Sequence, residues 1–243
     1  MPSYKIYLIK KKLDIEDIFS SQWLDKISIN RGDLERTSQK INSIKENVKA
    51  PTLLKNKNLA DIAFTIDYEY NMTLPGNIKV WVPEKLNMIQ KESYLFITRG
   101  EGKFRFLIEK YLSNNFEFLS VDLSSKKLLK IWNKLKKVVR EEGHSVILHR
   151  IIIGKAYIDA DLIKELNITT KNVEEVGFFK ELTQNSGYIK VITLRIRWNL
   201  FDEEGNRPKN LTARLDSAGN LLIYGTHSKN IIDHFLKFLT ISL

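Results

Sequence analysis

The chain has 243 residues, 43% hydrophobic and 28% charged, with 39 Lys and Arg against 29 Asp and Glu, a net charge of +10. This is globular composition, long enough for one large domain or two small lobes, and no run nears the ~18 apolar residues of a membrane span. The absence of cysteine excludes disulfides, thiolate metal sites, thiol nucleophiles and iron–sulfur clusters.

The longest apolar candidate, SVILHRIIIG, is cut by His149 and Arg150. In MPSYKIYLIKKKLD the apolar patch is shorter than a signal peptide needs, and its lysines follow the patch instead of preceding it. The expectation is a soluble, intracellular, cytoplasmic protein without a transmembrane segment. A basic excess of this size is the electrostatic footprint of a polyanion partner; the plainer alternative is a solvated surface that aids solubility.

In chain order, Ser3 to Ile9 reads as a strand, closed by Lys10, Lys11 and Lys12. DIEDIFSSQWLDKI and GDLERTSQKINSIKENV read as helices, and the Lys/Asn-rich stretch Lys49 to Leu59 as a loop. Three strands follow. DIAFTIDYEY sets Ile62, Phe64, Ile66, Tyr68 and Tyr70 on one face and Ala63, Thr65, Asp67 and Glu69 on the other. NIKVWVP and SYLFITR are the next two, then the loop GEGK and the helix FRFLIEKYL.

EFLSVDL and SVILHRIIIGKAYI read as strands on either side of the clearest helix, SSKKLLKIWNKLKKVVREEG. Here Leu128, Ile131, Trp132, Leu135, Val138 and Val139 form one apolar stripe. Lys126, Lys127, Lys130, Lys134, Lys137 and Arg140 lie opposite, Ser124 or Ser125 can cap the start and Gly143 the end. Asp161 reads as the cap of a helix over LIKEL.

The second half ends in a strand YIKVITLRIRWNLF, a turn DEEGN, a strand NLTARL, a turn DSAGN, a strand LLIYG, and a helix NIIDHFLKFL after THSK. Gly205 and Gly219 fall where hairpin loops need positive φ. In the final helix Ile231, Ile232, Phe235, Leu236 and Leu239 make the expected buried stripe, with Asp233 and His234 off it and Ser228 as cap. Tyr94 to Leu112 and Leu221 to Leu239 share the order strand, glycine and lysine loop, amphipathic helix. Either a degenerate internal repeat or the commonness of meander-plus-helix units accounts for this.

The expected fold is therefore α+β: two mainly antiparallel meander-plus-helix lobes, residues 1–115 and 116–243 or one compact unit of both, joined by the long basic helix. Two sheet-and-helix lobes in pseudo-repeat resemble the architecture of the TATA-box-binding protein family. The likeness rests on element order and on no residue motif.

For chemistry, His144 and His149 stand on one predicted strand, and His227 and His234 are separated by a loop, so no metal-ligand spacing emerges. Neither a metal nor a cofactor is expected. Asp67, Glu69, Glu101, Lys103, Asp159 and Asp161 could together suggest a metal-dependent nuclease, but the glycines around Glu101 make its E-x-K a loop where that chemistry wants a strand. Ser217, Ser228, His227, His234, Asp216 and Asp233 invite a catalytic triad, yet adjacent Asp233 and His234 diverge by about 100° on a helix. RGEGK lacks the phosphate-loop pattern.

Two sets of basic residues remain. Arg195, Arg197 and Arg214 share one sheet face if their strands pair as a hairpin, and arginine there can grip phosphate bidentately; pairing with acids such as Asp216 is the alternative. Around the two loops, Arg99, Lys103 and Arg105, and His227, Ser228 and Lys229, are candidates for a phosphate at a helix start. The expected function is non-enzymatic binding of DNA or RNA through phosphate contacts, within a larger complex. The alternatives are an accessory subunit of a nucleic-acid enzyme or defence complex, for example an Argonaute-type partner, and a metal-dependent nuclease.

Overall fold

The computed structural model describes residues 2–9, 35–56, 62–98, 103–115, 117–158, 161–176, 188–199 and 210–243. The chain divides into two compact units, Lys5–Leu119 and Ser120–Leu243 with Met1–Tyr4. The fold is mixed α/β with mostly antiparallel sheet and four α-helices among the described residues. The predicted helix DIEDIFSSQWLDKI, the GEGK loop before Lys103 and the DEEGN turn lie outside the described residues.

The N-terminal unit contains β1 (Ser3–Ile9), α1 (Glu35–Glu46), β2 (Val48–Asn56), β3 (Ile62–Leu74), β4 (Ile78–Lys91), β5 (Tyr94–Thr98) and α2 (Lys103–Asn115). Its strands run β2-β3-β4-β5-β1. The alternation of DIAFTIDYEY holds: Phe64, Ile66 and Tyr68 are buried, while Thr65 and Asp67 are half-buried and Glu69 is exposed. Ile41 and Ile44 of α1 and Leu107 and Ile108 of α2 join that core.

One expectation fails here. Lys49 to Asn56, expected as a loop, forms most of β2, laddered on β3 from Val48↔Tyr70 to Asn56↔Ala63 with an irregularity between Lys49 and Thr52. Pro51 sits at that irregularity. Lysine and proline are what sheets use to blunt an edge strand, so an edge read as a loop. β4 likewise runs past Pro83, where NIKVWVP was expected to end.

The C-terminal unit contains α3 (Ser125–Glu141), β7 (Ser145–Ile158), β8 (Asp161–Thr169), a 3₁₀ turn (Val173–Glu175), β9 (Tyr188–Arg197), β10 (Leu211–Asp216), β11 (Asn220–Tyr224) and α4 (Lys229–Ser242). A three-residue β6, Phe118–Ser120, at the end of the N-terminal unit, pairs with β1. The strand order is β11-β10-β9-β7-β8. The basic helix α3, expected to join two lobes, falls inside this unit.

The expected helix over LIKEL is instead strand β8, paired with β7 from Ile158↔Asp161 to Arg150↔Thr169. Leu162 and Leu166 are four apart, a spacing that is both a helical turn and an even number of strand steps, and β7 supplies the partner that decides it.

α3 follows its pattern. Leu128, Ile131, Trp132, Leu135 and Val139 are buried, and the Ser124 side chain accepts from the Lys127 amide at the start. Gly143 follows the helix with φ +79°. From the 3₁₀ turn, Glu174 accepts from Trp132 Nε1 at 2.9 Å and Lys136 Nζ at 2.8 Å. In α4 the buried face is Phe235, Leu236, Phe238 and Leu239. Ile231 and Ile232, expected in that stripe, are only half-buried.

The β10–β11 turn is fixed from both sides. Asp216 accepts from the amides of Ala218 and Asn220 at 3.0 and 2.9 Å. Ser217 O accepts from the Leu123 amide at 2.8 Å. Gly219 has φ +71°, and a Cβ there would fall on the carbonyl oxygen of Val121. Gly219→Ala thus combines a left-handed backbone with a backbone collision and should destabilise by at least ~2 kcal/mol, measured as a lower urea midpoint at unchanged m-value.

Candidate nucleic-acid interface

The arginine face is built by alternation. β9 and β10 pair with Thr212 opposite Arg195 and Arg214 opposite Thr193. Opposed residues share a face, and Arg197 lies two residues from Arg195, so all three arginines project from one side of the sheet, as expected. The other side carries Ile192, Leu194, Ile196, Leu211, Ala213 and Leu215, all buried.

β7 adds a fourth arginine that sequence reasoning missed. Its register to β9 shifts between Leu148 and Arg150, leaving His149 as an extra residue. A bulge of this kind changes which side the following residues face. Val146 and Leu148 are buried before it, Ile151 and Ile153 after it, and Arg150 comes to stand opposite Thr193. One row across three strands therefore reads Arg150, Thr193, Arg214, and the next Ile147, Arg195, Thr212. The switch from even to odd apolar positions across His149 was the available signal.

The arginines of this face have no carboxylate partner among the described residues. Arg150 Nε donates to Asn167 Oδ1 at 2.8 Å. His149 Nδ1 lies 2.7 Å from the Thr170 carbonyl oxygen, and its Nε2 lies 3.4 Å from Arg195 Nη2. A carbonyl only accepts, so the proton of neutral His149 sits on Nδ1 and Nε2 can receive Arg195. Asp216, the anticipated acid partner, spends its carboxylate on the turn described above. Among the described residues no carboxylate pairs with Arg150, Arg195, Arg197 or Arg214. Lys190, toward the far end of the same face, is bound to Glu165 at 3.0 Å, and that bond raises its pKa.

The second basic surface is separate. Lys126, Lys127, Lys130, Lys134, Lys137 and Arg140 are all exposed along α3. Since α3 turns its apolar stripe to the buried side of the sheet, these cations lie on the opposite side of the unit from the arginines. A shallow depression of about 380 Å³ beside Asn133, Lys136, Lys137, Arg140 and Glu141 follows the same helix.

The two loops have more local roles. Ser228 Oγ accepts from the Ile231 amide as the α4 cap, and the His227 ring bonds to the Tyr224 carbonyl at 2.8 Å, leaving Lys229 exposed. Arg99 lies outside the described residues, as does the side chain of Lys103 at the start of α2. Arg105 Nε lies 2.7 Å from Glu109 Oε1, an oxygen that also accepts from the Tyr7 hydroxyl. Of the nuclease candidates, Asp67 lies 3.5 Å from Lys85 Nζ, and Glu101 and Asp159 fall outside the described residues. No group of three or more metal-ligating side chains occurs among the described residues.

The histidines form a cluster that spacing did not reveal. His144, just before β7, and His234 of α4 meet with ring centroids 5.8 Å apart, beside Trp198 at 5.2 and 5.7 Å. The His234 ring packs edge-on against Phe238 at 4.6 Å, so it is an aromatic wall of the core and not part of a triad. His144 Nδ1 accepts from the Asn199 amide at 3.2 Å. Burial lowers the pKa of both below the ordinary 6.5, and His144 lowers that of His234 further.

A comparison with models of known protein families finds no match, and a comparison with curated protein sequences finds none either.

The histidine pair predicts a pH dependence. Both groups are harder to protonate folded than unfolded, so below the unfolded pKa of about 6.5 the unfolded chain binds more protons and stability falls with pH. Urea unfolding at about pH 7.5 and about pH 5.5 should show the decline, and His234→Phe should reduce it.

Proposed function

We propose that the C-terminal unit binds nucleic acid through the sheet face bearing Arg150, Arg195, Arg197 and Arg214. One observation carries this: four guanidinium groups stand on one face of three adjacent strands, with only neutral partners among the described residues. Like charges gathered on a rigid sheet repel one another unless a counter-charge arrives. Arginine presents a planar fork that fits phosphate oxygens two at a time. The spacing of the rows, ~4.8 Å between strands and ~6.8 Å between alternate residues, is on the scale of a phosphodiester backbone. Tyr224, opposite Thr212 on the same face, offers a ring for stacking with an unpaired base.

The ligand is DNA or RNA, held mainly by its backbone and without strong sequence preference. The exposed cations of α3 supply a second, more diffuse basic surface on the other side, suited to long-range attraction. This reading keeps the protein non-enzymatic and in the cytoplasm, working within a larger complex, with the two meander-plus-helix stretches as a degenerate repeat.

Fluorescence anisotropy with labelled oligonucleotides over a salt series tests the reading. Four phosphate contacts give a slope of log K on log salt of about −3.6 for duplex and about −2.8 for single strands. Arg195→Ala with Arg214→Ala should weaken binding roughly 30- to 100-fold and remove about half of that slope. Lys130→Ala with Lys134→Ala should change it less. Unchanged affinity and slope in the folded arginine double variant would sink the proposal.

A further inference from the structure

β3 and β4 remain paired well beyond their neighbours. β2 follows β3 only as far as Val48↔Tyr70, and β5 meets β4 only from Met88↔Ile97 to Lys91↔Tyr94. The β3–β4 ladder continues to Leu74↔Ile78, where Gly76 and Asn77 turn with φ +86° and +59°. The end of this hairpin is a two-stranded arm.

Beyond Glu84, which stands opposite Tyr68, one face of the arm is apolar to its tip. Tyr70 stands opposite Val82, Met72 opposite Val80, and Leu74 opposite Ile78. These positions continue the row of Phe64, Ile66 and Tyr68, which α1 and α2 help to bury; Tyr70 still packs against that core, and Met72, Leu74, Ile78 and Val80 lie past the end of the cover. Met72, Leu74, Ile78 and Val80 are 39%, 40%, 60% and 36% exposed. Single exposed apolar residues are ordinary, but a contiguous set marks an interaction surface.

Charge and edge chemistry select the occupant. From Glu69 to Lys85 the arm carries Glu69 and Glu84 against Lys79 and Lys85, a net charge of zero on a chain of +10. Two copies of so basic a chain repel wherever their basic surfaces meet; the neutral arm is where they can approach. Addition of a strand to the open edge of β4 is opposed. Asn87 sends its amide outward to Thr98 Oγ1, so Lys85, Pro83, Trp81 and Lys79 share that outward direction, and Pro83 has no N–H to give. The apolar face is the surface this arm offers, and an uncharged face of this kind can pack on its own copy about a twofold axis.

We infer that the apolar face of the β3–β4 arm packs against the same face of a second copy of this chain. Four exposed apolar side chains per copy, Met72, Leu74, Ile78 and Val80, make a contact smaller than a standard interface, so the dimer is expected to dissociate on dilution. Sedimentation velocity over a concentration series should show the mass rising from 28.4 kDa toward twice that value, and Met72→Ser with Ile78→Ser should hold it at the monomer with unchanged circular dichroism. Because the chain lacks cysteine, a second measurement is clean: among the single variants Met72→Cys, Leu74→Cys and Ile78→Cys, at least one should form a covalent dimer under mild oxidation faster than Thr73→Cys, which lies on the arm's other face. A wild-type monomer at every concentration, a dimer that survives the double serine variant, or cross-linking no faster than at Thr73 overturns the inference; with a monomer, the arm is left for a different protein.

Discussion

The burial of one side of the C-terminal sheet is the constraint on which the rest of that unit depends. A strand has a period of two, so once Leu194, Ile196, Ala213 and Leu215 are committed to the helices, their neighbours are committed to the other side. The arginines do not choose their face; the core assigns it to them. The His149 bulge then serves both sides. It keeps the apolar run of β7 inward after the strand changes phase, and it moves Arg150 out to join the other three. Without that extra residue, either Ile151 and Ile153 or Val146 and Leu148 would face the wrong way.

The same constraint separates the basic charge into two populations of different character. The arginines stand on paired strands, with short-range order set by ladder register. The α3 lysines sit on long stems over a helix where Lys136 is held by Glu174, Lys137 lies 3.8 Å from Glu141 and Lys127 donates to the Asp122 carbonyl. A rigid arginine array favours geometry, whereas exposed lysines favour long-range attraction that salt screens.

How much of this was legible from the residues depends on how local its cause is. The α3 stripe, the Ser124 and Ser228 caps, the β10–β11 turn and the common face of Arg195, Arg197 and Arg214 all follow from spacing within a few residues. β2 and β8 did not, because each is a strand only by virtue of its partner: β2's lysines and proline look like a loop until β3 is beside it, and Leu162 and Leu166 fit a helix until β7 is. Arg150 was hidden by a bulge whose trace is a phase change in VILHRIII. The meeting of His144, Trp198 and His234 brings together three distant segments, and no local pattern announces it.

The bonds that seat α3 have a kinetic consequence. Ser125 Oγ receives the Ile189 amide at 2.7 Å from 64 residues away, and Trp132 reaches Glu174 from 42 residues away. The helix can form as soon as it is made, since its caps are its own, and β7 follows it at once, but β9 and the C-terminal helix that also cover it come later. While the chain is being synthesised, the stripe of Leu128, Ile131, Trp132 and Leu135 therefore has only part of its cover for the time needed to add about 60 more residues, several seconds at ribosomal speed. The flanking lysines keep that waiting helix soluble, a service owed to the nascent chain and independent of what the finished protein binds.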